Sequence, residues 1–130
     1  MIIEALYSRL KADADLAALI TGIFPQFIPE GEDAPAVVYA LARDEPAPML
    51  DGPSDDRTAL FNIDCYSLQY AQAHTMADAV EAALAGFRGT LGTSTPAISA
   101  DNIRLERKLD LFETATKLNR VSMQFSIFYQ

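Results

Sequence analysis

The closing stretch RVSMQFSIFY, residues 120–129, has a period of two: Val121, Met123, Phe125, Ile127 and Tyr129 alternate with Arg120, Ser122, Gln124 and Ser126. That period puts the apolar set on one side of a strand and the polar set on the other, so the chain has to build a sheet with one buried and one wet face. The preceding IRLERKLDLFE repeats the pattern, with Ile103, Leu105, Leu109 and Leu111 opposite Arg104, Glu106, Lys108 and Asp110. TATKLN between the two runs is turn chemistry, which makes them a hairpin. A third run, 57–66, sets Ala59, Phe61, Ile63 and Cys65 against Leu60, Asn62 and Asp64. One-sided strands of this kind suit an antiparallel sheet covered by helices on its apolar face.

The rest of the chain supplies the cover. Ile3, Leu6, Tyr7 and Leu10 recur at helical spacing. Asp13 or Asp15 can cap a short second turn carrying Leu16, Leu19 and Ile20, with Gly22 to end it. IFPQF reads as extended, and Pro25 places it at an edge because proline cannot donate to a ladder. Residues 36–44 read as a strand with Val37, Tyr39 and Leu41 on one face. Residues 71–87 read as a helix whose inner face is Met76, Val80, Ala83, Leu84 and Phe87, with Gly86 and Gly89 suited to stop it. GTLGTSTPA and EPAPMLDGPSDD read as connections, the second long enough to suggest a functional loop. The expected fold is α+β: a single mostly antiparallel sheet of about five strands, with two main helices packed on one face. A chain of 130 residues makes that one domain, residues 1–130.

Charge and cysteine usage narrow the function classes. Residues 30–56 hold eight acids against one base, Arg43, and so carry nearly all of the net charge of −8. Gripping nucleic acid needs Lys and Arg to displace counterions, which disfavours it here; an acidic passage would let DNA slide by without sticking. Solvated loops kept soluble by carboxylates give the same pattern. Cys65 is the only cysteine, so neither an internal disulfide nor a cysteine zinc site is available, and its strand position makes it a small buried hydrophobe. The N-terminus has charges at helical spacing in place of a signal peptide's uncharged core, and no run suffices for a membrane helix. The expectation is a protein that acts or assembles where it is made.

No motif carries catalysis convincingly. DGPSDD has its glycine second and no distal glutamate, which does not fit a calcium-binding EF loop. His74, the only histidine, lacks a nucleophile or a sequence elbow beside it and reads as a partly exposed helix residue. Gly86, Gly89 and Gly92 around FRGTLGTST lack the Lys-Ser/Thr ending and lead out of a helix, which is backwards for a phosphate loop. The best enzyme pattern is Glu106-x-Lys108 with Asp64, the layout of some metal-dependent nucleases. Cross-strand charge pairing produces the same alternation. No catalytic residue, metal site or cofactor is assigned.

Several stretches together resemble the small tail-completion and tail-terminator proteins of long-tailed bacteriophages. They are MIIEALYSRLKADADLAALI, the VVY strand, LDGPSDDR running into FNIDCYS, YAQAHTMADAVEAAL, and IRLERKLDLFE followed by NRVSMQFSIFY, in that order along nearly the whole chain. The resemblance implies a virion protein, assembled in the host cytoplasm, that forms a ring of six copies on the head-proximal end of the tail tube. Such a ring stops tail polymerisation, meets the tail tube protein and the head-connector adaptor, and lets DNA pass without specific binding. A connector adaptor on the head side is the alternative. On this reading Asp51, Gly52, Asp55, Asp56 and Arg57 form a docking loop. Arg104, Glu106, Lys108, Asp110, Ser122 and Gln124 form a face toward the lumen or a neighbouring subunit.

Overall fold

The computed structural model describes residues 2–46, 56–92 and 97–130. In chain order the elements are α1 (Ile2–Ala12), α2 (Ala14–Ala17), β1 (Gly22–Pro25), β2 (Ala36–Pro46), β3 (Arg57–Ser67), α3 (Tyr70–Leu84), β4 (Gly89–Leu91), β5 (Ile98–Glu113) and β6 (Leu118–Tyr129). The six strands make one sheet in the order β1-β2-β3-β6-β5-β4. Only β1 and β2 pair in parallel; the other neighbours are antiparallel. The α+β class and the one-sided cover follow the sequence reading, with six strands where about five were expected. The additional strand is β4, three residues inside the stretch taken for a connection.

One apolar cluster joins the helices to a single sheet face. Leu6, Leu10, Leu16, Met76, Val80 and Leu84 from the helices meet Val37, Phe61, Ile63, Cys65, Met123, Phe125 and Ile127 from the strands. Each of these side chains is fully buried. Burying a large apolar side chain contributes about 1.5–3 kcal/mol, so this seam accounts for the sheet's attachment to its helices. The alternation in β3 and β6 fixes which residues join it.

Helix boundaries have local causes. Asp13 caps α2, its carboxylate accepting from the Leu16 amide at 3.1 Å, which selects it over Asp15. Gly22 does not end that helix; it opens β1. α3 stops at Leu84, three residues short of the expected end. Gly86 then takes a left-handed φ of 77° and donates its amide to the Ile103 carbonyl at 2.8 Å, a conformation glycine adopts without strain. At Gly92 a Cβ would stand 2.9 Å from the Ala5 Cα, so this glycine lets α1 close on the end of β4.

Two strands bend out of simple alternation. The β2–β3 register shifts between Leu41 and Arg43, and the β5–β6 register shifts between Ala100 and Asn102 and again between Leu105 and Arg107. Each shift inserts one residue, and every side chain beyond it changes face.

Candidate assembly surfaces

The hairpin face expected to hold six polar residues is divided by the second β5 bulge. Directly opposed residues of an antiparallel pair share a face. Before the bulge, Ile103 and Leu105 oppose Ile127 and Phe125 on the core side, and Arg104 opposes Ser126 on the open side. After it, Lys108 opposes Met123 and Asp110 opposes Val121, which puts both on the helix side. Leu109 and Leu111 oppose Ser122 and Arg120 on the open side. The sequence reading of one continuous polar face is therefore corrected: Arg104, Glu106, Ser122 and Gln124 remain together, Lys108 and Asp110 leave, and two leucines take their place.

Lys108 and Asp110 fasten the hairpin to α3. Lys108 Nζ lies 3.2 Å from Asp78 Oδ1 and 3.6 Å from Glu81 Oε1. Asp110 Oδ2 accepts a short hydrogen bond from the Tyr70 hydroxyl. His74 Nε2 stands 3.3 Å from that oxygen, within ion-pair range but off the line of a hydrogen bond. The Tyr70 hydroxyl, followed by His74, holds the Asp110 carboxyl below its usual range, and that bond pushes the Tyr70 hydroxyl up.

The open face carries polar rungs, two between strands and one along β5. Gln124 Nε2 donates to Asn62 Oδ1 at 3.1 Å. Arg120 Nη2 donates to Asp64 Oδ2 at 3.1 Å, with Glu113 Oε1 3.8 Å from its other terminal nitrogen. Arg104 meets Glu106 in a two-point bond of 2.9 and 3.3 Å, and the guanidinium, then the Ser126 hydroxyl, holds the Glu106 carboxyl down. The three residues of the nuclease pattern are not brought together: Asp64 and Glu106 face outward on separate arginines, while Lys108 faces α3. Among the described residues no three His, Cys, Asp or Glu side chains group closely enough to hold a metal ion. A cleft between α1, α2 and β1, with Tyr7, Leu10, Lys11, Ile20 and Thr21 in its wall, is lined by no carboxylate or imidazole.

At the far end of the sheet, Arg57 is engaged within the chain. Its Nε donates to Asp44 Oδ1 at 3.2 Å, and the Tyr129 hydroxyl reaches both Asp44 oxygens at 2.9 and 3.0 Å. The β2 bulge makes this possible, because it turns Asp44 to the core side opposite Ala59. Burial, then the Asp44 bond, pushes the Tyr129 hydroxyl up. Asp51, Gly52 and Asp55 lie outside the described residues; Asp56 immediately precedes β3.

Rungs and clamps thus tie the strands and α3 to one core, and the chain can be set beside known proteins. The family model Tail completion protein gp17 matches residues 4–130. The chain belongs to that family. Membership bears out the resemblance read from the sequence and makes a phage tail structural protein the coarse function. The fold of this tail completion family member is similar to a chain in the virion of a native gene transfer agent (GTA) particle. The two have a TM-score of 0.68 and 23% identity, over 95% of this chain and 90% of that one. No curated protein sequence matches it.

Proposed function

We propose that the chain is a structural virion subunit that caps the head-proximal end of the phage tail tube, stops tube polymerisation and joins the tail to the head connector. The observation that carries this reading is the tail completion family match over residues 4–130. The subunits form a closed ring of six around the DNA path. A cyclic ring needs two unlike surfaces on each copy, which the two margins of the sheet, β1 with β2 and β4 with β5, can provide. The acidic excess keeps the ring from retaining the genome as it moves through.

Disrupting the gene in its phage or prophage and imaging the particles by negative stain tests the reading. Filled heads beside tails of uncontrolled length are the expected outcome. Separate heads with tails of normal length would move the protein to the head side, as a connector adaptor. Intact infectious particles would end the structural reading. The acidic loop is the proposed docking element toward the neighbour or the tube. Replacing Asp51, Asp55 and Asp56 together by Asn is expected to impair ring assembly or head joining and to leave thermal unfolding unchanged. Normal assembly in that variant removes the loop from the interface.

A further inference from the structure

β5 leaves a long edge bare. Past Ile103, whose carbonyl accepts the Gly86 amide, residues 104–113 pair with β6 on one side, and among the described residues no strand lies on the other, because β4 pairs only as far as Ala100. Folded proteins guard such edges with prolines or outward charges, since unpaired amides and carbonyls recruit other strands. Past the Glu106 bulge this strand has no proline. Its lysine, Lys108, is drawn to Asp78 and Glu81 on α3. Leu109, Leu111 and Phe112 are all exposed large hydrophobic side chains. Among the described residues the sheet's other margin has a second stretch with no strand beside it, residues 41–46 of β2, because β1 pairs only as far as Tyr39.

These two edges are complementary in direction. β2 is antiparallel to β3, β3 to β6 and β6 to β5, so β2 runs antiparallel to β5. A second copy placed alongside without inversion therefore presents its β2 to β5 in antiparallel sense. Joining β5 to β5, or β2 to β2, closes on two copies; only the unlike pairing repeats from one subunit to the next, as a ring requires.

We propose that the free edge of β5 takes the free edge of β2 from a second copy, antiparallel, and carries the sheet from subunit to subunit. The proposal rests on the ring reading above and adds to it the two strands that make the contact.

Intersubunit disulfides test it. Arg107→Cys or Leu109→Cys is combined with Arg43→Cys or Glu45→Cys; all four positions lie on the open face. Opposed residues on paired strands stand about 4.5–5.5 Å apart, within reach of a disulfide. Cys65 is fully buried and stays out of the reaction. Purified protein and assembled tails are oxidised and run without reductant. A ladder extending past the dimer is expected from at least one combination, with single-cysteine variants giving no more than dimer. Alongside, Leu109→Asp with Leu111→Asp is expected to weaken self-association about tenfold or more at unchanged thermal stability. Oligomers or tail-bound rings that no combination cross-links overturn the edge pairing and leave the ring reading standing. A chain that stays monomeric and is absent from tails overturns both.

Discussion

Cys65 and Tyr129 show how a single side chain in this molecule is set by its surroundings. Cys65 is fully buried, and burial pushes its thiol up to about 12. Its folded value lies above the unfolded value of about 8.5. The stability it contributes is therefore complete below pH of about 8.5 and is lost as pH rises toward about 12. At pH 8 alkylation of the native thiol is expected to be slower than in denaturant by on the order of a thousandfold, read as adduct mass against time. Fast native labelling would contradict the burial. Tyr129 donates to both oxygens of Asp44. Tyr129→Phe is expected to cost about 1–2 kcal/mol in denaturant unfolding, because a partly buried carboxylate loses a donor and keeps the Arg57 bond. Asp110 works in the acid range. Its folded value is depressed by Tyr70, so its contribution is present above the ordinary carboxylate value and fades as pH falls through the depressed one. Melting temperature against pH should show that acid limb in the native chain and a flatter one in Tyr70→Phe.

Among the elements, α3 depends on a partner the sequence does not advertise. Arg9 on α1 donates from Nε and Nη2 to the Ala83 carbonyl at 3.1 and 3.0 Å, and its guanidinium lies 4.1 Å from the Phe87 ring centre. It satisfies a carbonyl that a helix end leaves open and brings positive charge to the negative end of the dipole. Arg9→Ala is expected to destabilise by about 1–2 kcal/mol, and Arg9→Lys to recover only part of it, since an ammonium cannot make the two-point contact. Local pattern made α1, the core faces of β3 and β6, and a cap at Asp13 or Asp15 legible from sequence, because each is decided by residues close in the chain. The bulges were not legible. Leu105 and Leu109 are four residues apart, which simple alternation keeps on one face. The only sign of the inserted residue is the polar triplet Glu106-Arg107-Lys108 between them, too many polar residues in a row for period two. That one residue decides whether Lys108 and Asp110 meet solvent or α3. The same blindness hid Asp44, which β2 turns inward after its own bulge, and with it the attachment of Arg57. β4 went unread because three residues carry too little periodicity to stand out.

For the whole molecule, the proposed ring raises the question of how a passage for DNA avoids holding it. The net charge of −8 is concentrated in residues 30–56, while half of the ten cations lie in residues 101–120. Those cations are largely committed: Arg104 to Glu106, Lys108 to Asp78 and Glu81, Arg120 to Asp64 and Glu113. A cation already paired to a carboxylate has little to gain from a phosphate, and the counterion release that drives non-specific DNA binding requires free ones. The geometry thus opposes binding even on the chain's most basic surface. Purified protein is expected to show no mobility shift of duplex DNA at about 0.15 M salt up to on the order of 100 μM, the weak end of ordinary non-specific affinity. Arg104, Arg107 and Arg120 share the open face, so the informative control is Glu106→Gln with Asp64→Asn and Glu113→Gln, which removes the carboxylates paired with Arg104 and Arg120. If that variant gains DNA binding that weakens with salt while the native chain has none, the carboxylate rungs are what keep the surface from adhering. Binding by the native chain would mean that its arginines remain available to phosphate, and the sheet's open face could not then line the path of a moving genome.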